Sequence, residues 1–235
     1  MNVSRLIALI RKEILEGVRA GWANIPATAV LTVMLLVTPL AAARRTLSPE
    51  ALALLQATLP IFLPLLAMPF YASTVLSRAI QTERLRGGLL PLLIYGGSAA
   101  EVWLAKVLGA FSLAYVVMLL SLGGYIGYGV WLGRNFVPAV SALPYVLIAM
   151  PVVALSLIAL QAMLFWMMGR SALLSVIVPI VVMFGGAQLV VMLGFRSISG
   201  ASGVLAMLGS CAVVAALTMV VARYPRERAA GLVAR

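Results

Sequence analysis

The chain has 235 residues, 64% of them hydrophobic and only 10% charged, with a net charge of +11 and a mean hydropathy of +1.14. Soluble domains carry roughly 25% charged residues, so this composition excludes one, and it excludes a disordered chain and a disulfide scaffold as well. The acids are six glutamates, with no aspartate and no histidine. Nucleophilic triads built on histidine, aspartyl intramembrane proteolysis and clustered metal ligands are therefore out of reach. The chain is not expected to be an enzyme, nor to hold a metal or cofactor of its own. Cys211 sits alone in an apolar run and reads as an inert small core residue.

The first element is an amphipathic helix over residues 4–20. At helical spacing Val3, Leu6, Ile7, Ile10, Ile14 and Val18 share one face, and Arg5, Lys12, Glu16 and Arg19 lie opposite. Such a segment lies in the membrane interface, with its apolar stripe in the acyl boundary and its cations among anionic head groups. It is too charged for a signal peptide. Gly21 permits a bend before Trp22.

Six uncharged runs follow, giving spans at about 22–43, 51–77, 107–132, 144–169, 171–195 and 203–222. Each is long enough for the roughly 20 residues that cross a bilayer. With the N-terminus inside, thirteen of the seventeen cations fall on the inner side. Arg44, Arg45, Arg134 and Arg196 are the outer four, so both termini are expected in the cytoplasm. Topology and lipid head groups account for the positive charge, without nucleic acid. The expected fold is an all-α integral membrane protein, a single domain over 1–235.

Inside the spans, Pro60, Pro64, Pro69, Pro151 and Pro179 kink helices or free backbone carbonyls. Gly123 and Gly127 form a small-xxx-small pair suited to close packing. Gln161 and Gln188 are the most polar mid-span side chains, candidates either for a substrate path or for ordinary interhelical hydrogen bonds. No span holds an ionisable group at mid-depth, which argues against ion-coupled transport but leaves a passive pore open.

The one long connection is the segment 78–106. Gly87 and Gly88 stop the second helix after Glu83, Arg84 and Arg86. A short apolar piece, Leu89 to Tyr95, contains Pro91, and Gly96 and Gly97 break the chain again. Ser98-Ala99-Ala100-Glu101 matches a capping box, opening a helix that carries Trp103 and Lys106 at the interface. This segment reads either as an ordinary interfacial loop or as a docking surface for a cytoplasmic partner.

These residues resemble a known family. The N-terminal amphipathic helix with Arg11-Lys12-Glu13 and Arg19, the six spans, the Glu-x-x-x-Gly exit at Glu83 and Gly87, and the run Leu89-Leu90-Pro91-Leu92-Leu93 followed by Ser98-x-x-Glu101 and Lys106 are similar to the permeases of type-2 ABC exporters. The resemblance implies an elbow helix carrying Arg11, Lys12, Glu13 and Arg19. It implies a coupling segment, with Glu83, Arg86, Gly87, Leu89, Pro91, Leu92, Tyr95 and Glu101, that docks on a separate ATPase. It further implies a homodimer of permeases in a bacterial or archaeal cytoplasmic membrane, with ATP and Mg on the partner subunits. The cargo would be hydrophobic or amphipathic. The small size also resembles haem-exporter-like permeases of cytochrome c maturation, a second reading. The short connection between spans five and six departs from the first family. The P-loop pattern cannot occur in this chain, so any ATP must be bound elsewhere.

Overall fold

The computed structural model describes residues 3–21, 24–43, 48–85, 98–133, 142–168 and 200–223. Every regular element among them is helical. In chain order these are α1 (Val3–Gly21), α2 (Asn24–Ala43), α3 (Pro49–Leu85), α4 (Ala99–Trp131), a π-helical turn (Tyr145–Ala149) leading into α5 (Met150–Met168), and α6 (Gly200–Ala222). Three stretches, Leu59–Ile80, Ala99–Trp131 and Tyr145–Trp166, are long and apolar enough to cross a membrane, and they point to membrane integration. The expected fifth span, 171–195, lies outside the described residues.

The 33-residue α4 is the centre of the bundle and packs against α1, α2, α3, α5 and α6. Small residues punctuate its contact surface: Ala105, Gly109, Ala110 and Ala114 are buried along it. Ala110 and Ala114 belong to one core with Ala67, Met68 and Ala72 of α3 and Ala154, Ile158 and Ala162 of α5. Small side chains let helix backbones approach closely, and where lipid is as apolar as leucine it is this packing that favours association. Several buried serine and threonine hydroxyls bond to their own helices. Thr32 donates to the Thr28 carbonyl at 2.8 Å, and Ser121 to that of Val117 at 2.8 Å.

The start of α4 is set locally. Ser98 has extended backbone, its Oγ accepts from the Glu101 amide at 3.1 Å, and the Glu101 carboxylate accepts from the Ser98 amide at 3.3 Å. This is the reciprocal pair the sequence pattern specifies. Ser98→Ala should cost ~1 kcal/mol. It should speed hydrogen exchange at the Glu101 amide about fivefold, with the far end of α4 unchanged.

Packing among the described residues bears on two expectations about side chains. A methyl group on Gly123 or Gly127 would meet nothing within 4 Å among the described residues, whereas one on Gly124 would lie 3.1 Å from Val33 Cγ2. The close approach of α2 therefore uses Gly124, because only that glycine is turned toward α2. Cys211 is exposed on α6 rather than buried in a core.

Candidate functional site

The charged side chains of the helices meet at one end of the bundle, where α3 ends and α4 begins. There α1 lies across α4. At 3.6 residues per turn, Glu13 falls beside Leu6, Ile10 and Gly17, and this flank of the helix faces inward: Leu6 and Glu13 are buried. The approach is close because two glycines permit it. A methyl group on Gly109 would sit 2.8 Å from Glu13 Cβ, and one on Gly17 would sit 2.5 Å from Leu113 Cδ1.

The crossing brings Glu13 to Lys106, 93 residues away in the chain. Lys106 Nζ donates to Glu13 Oε1 at 3.0 Å and pairs with Glu83 Oε2 of α3 at 2.9 Å. The first contact is an aligned hydrogen bond, and the second is an ion pair. The Lys106 side chain is only 1% exposed. Lys12 completes the group from the outside, donating to Glu83 Oε1 at 3.3 Å and lying 3.6 Å from Glu16 Oε2 and 3.8 Å from Glu13 Oε1. Both lysines of the chain are thus used in one cluster that ties α1, α3 and α4 together. The hydrogen bonds matter, since buried charges cost several kcal/mol each unless paired and bonded.

Burial pushes the Glu13 carboxyl above the usual range, and Glu83 adds to the rise against the opposing pull of Lys106 and Lys12. For Lys12, burial alone would lower the ammonium, but Glu83, Glu13 and Glu16 together hold it above 10.5. The contribution of Lys12 is therefore complete below that pH and lost as pH climbs through the raised value. Glu13 has the opposite consequence at neutrality. Its contribution is complete below 4.5 and lost as pH rises through its raised value. Of the groups that favour its ionised form, Lys106 acts most strongly.

The carboxylate oxygens of Glu13, Glu16 and Glu83 lie within 4.8 Å of one another, an all-oxygen set of the kind hard cations use. The Lys12 ammonium already sits 3.3–3.8 Å from all three. A metal ion would have to displace it, so the arrangement fits an ion-pair cluster better than a metal centre.

The outward side of α1 is mixed. Val3 and Ile7 are 66% and 60% exposed, beside exposed Arg11 and Arg19. An open groove of about 500 Å³ runs along this side, lined by Ile7, Arg11, Lys12, Leu15 and Arg19 among others. At the far end of α1, Arg78 of α3 reaches the start of α2. With the Asn24 amide turned to face it, the side-chain carbonyl accepts from Nη1 at 3.0 Å and from Nη2 at 3.3 Å.

Among the residues singled out from sequence, Lys12, Glu13 and Glu83 are brought together. Glu101 is buried in the capping box, and Arg11 and Arg19 stay on the surface. Arg86, Gly87, Leu89, Pro91, Leu92, Tyr95 and Gln188 lie outside the described residues. Gln161 is fully buried, with neither amide atom bonded among the described residues. Trp103 and Lys106, expected at the interface, are both enclosed by protein. Sequence reasoning missed the role of Lys106. The available signal was Gly109 three residues on, a small residue sharing a helix face with a cation.

The chain matches no protein-family model, no curated protein and no solved structure.

Proposed function

We propose that the chain is the membrane subunit of an ATP-driven exporter of the type-2 ABC kind. In this reading it has six spans, both termini in the cytoplasm and α1 as an elbow helix. It works as a pair with two ATPase subunits and moves a hydrophobic or amphipathic substrate out of the cytoplasm or inner leaflet. The observation that carries the reading is the Lys106 cluster. Segment 86–97 is bounded by the end of α3 and the start of α4. Glu83 lies two residues before the end of α3, and Lys106 lies two turns into α4. Their ion pair, with Glu13 as third member, means that a push on that segment reaches both spans and α1 as one body. Exposed Arg11 and Arg19, beside Ile7 and Leu15, suit α1 to a surface of anionic lipid.

The test is co-purification of the full chain with the P-loop ATPases of its own genome. A stable complex is expected, and it should be lost when residues 87–95 are replaced by a Gly/Ser linker. Absence of any ATPase partner, or binding that survives the replacement, would sink the proposal.

A further inference from the structure

Proline at position i has no N–H, so the carbonyl at i−4 of its helix loses its usual donor. In α3, Pro60 does this to the Gln56 carbonyl. The Leu147 carbonyl lies four residues before Pro151, in the π-helical turn that leads into α5. In both places a tyrosine of α4 donates to the carbonyl. Tyr125 Oη donates to the Gln56 carbonyl at 3.1 Å, and Tyr115 Oη donates to the Leu147 carbonyl at 3.0 Å. The two tyrosines are ten residues apart, and each reaches a carbonyl four residues ahead of a proline, on a different neighbour. The second site coincides with an irregularity. Residues 145–149 form a π-helical turn, in which the Met150 amide bonds to the Tyr145 carbonyl, so the ladder there is already displaced by one residue.

We propose that Tyr125 and Tyr115 are paired latches, holding α3 and the π-helical start of α5 to α4 at two points where their backbone ladders are interrupted. Each opened turn is a bend point in its helix. While the hydroxyl stays on the carbonyl, the bend is fixed against α4. When it leaves, the carbonyl must find water or another donor, and the helix is released on that side only. α4 is then the fixed post, and the two neighbours move independently of each other. The inference stands on the backbone chemistry of these four residues and applies whatever the chain transports.

Hydrogen exchange of the full chain in lipid nanodiscs tests it. Y125F should raise exchange about fivefold, the factor one net hydrogen bond supplies, in peptides spanning residues 52–64 and leave 143–156 unchanged. Y115F should do the reverse. The deciding arm restores the missing donor. In P60A the new N–H serves the Gln56 carbonyl, so Y125F added to P60A should have no further effect. The proposal is overturned if the tyrosine effect persists in the proline-free background. It is also overturned if either Phe variant raises exchange throughout the bundle, or if neither changes it. Should P60A fail to fold, the regional selectivity of Y125F and Y115F decides: an effect of either variant outside its own region overturns the proposal. These readouts are independent of ATPase binding, so failure here and failure of the transport reading are distinguishable.

Discussion

Lys106→Met removes the buried ammonium between Glu13 and Glu83 and leaves only the outer, half-exposed Lys12 beside them, and it should destabilise the folded bundle by up to about 3–5 kcal/mol, the cost of stranding buried charge. The measurement is the thermal midpoint of the detergent-solubilised protein. A specific signature separates this from a packing defect, because methionine is close to lysine in volume. Adding Glu13→Gln should restore part of the loss, since one of the two stranded carboxylates is then neutral. The loss in Lys106→Met should also be smaller at pH 4 than at pH 7, because Glu13 has a raised pKa and takes up its proton early. A loss equal at both pH values, and unrelieved by Glu13→Gln, would mean that Lys106 matters only for its bulk.

Gly109→Val should separate α1 from the bundle while leaving every charge in place. The first carbon of any side chain there would lie 2.8 Å from Glu13 Cβ and 3.8 Å from the Glu13 backbone. The obstacle is therefore the root of a side chain fixed to its helix, not a flexible tip. Overpacking of this kind costs about 1–3 kcal/mol, and relief requires α1 to lift, which stretches the 3.0 Å bond from Lys106 to Glu13. A disulfide-trapping pair placed across α1 and α4 should cross-link in the parent chain and fail to do so in Gly109→Val. At Gly17 the neighbour is the end of the Leu113 side chain, which can turn aside, so Gly17→Ala should be far milder. Similar losses for the two substitutions would contradict a crossing point at Gly109.

What could be read from the sequence was what depends on near neighbours in the chain. The Ser98–Glu101 box is a four-residue pattern, and the structure contains it bond for bond. The long apolar helices follow from uncharged runs, and α1 from its period. The ion-pair cluster depends instead on residues 71 and 93 positions apart, and no local pattern links them. Even the amphipathic reading of α1 was incomplete for this reason. The stripe Val3, Leu6, Ile7, Ile10, Ile14 and Val18 was treated as a single face, yet it is divided between two environments. Leu6 turns inward with Glu13, while Val3, Ile7 and Val18 stay on the outside. Periodicity finds the apolar side of a helix but cannot tell protein from lipid on that side. The tyrosine bonds were hidden in the same way. Proline announces an open carbonyl, but which hydroxyl fills it is decided by the neighbouring helix.

The separation of Glu13 from Lys106 also has a meaning in time. At roughly 5–20 residues per second of synthesis, the 93 residues between them take roughly 5–20 seconds to appear. For that interval the nascent α1 lacks Lys106, and for roughly the first three quarters of it Glu83 as well; in the proposed reading it rests at the water–lipid boundary by itself. An all-apolar helix would sink during the wait, and an all-polar one would drift away. In that reading, the Arg11, Lys12 and Arg19 side chains beside Val3, Ile7 and Val18 would hold α1 at the boundary, and Glu13 would turn inward once the third apolar stretch brings its counterion.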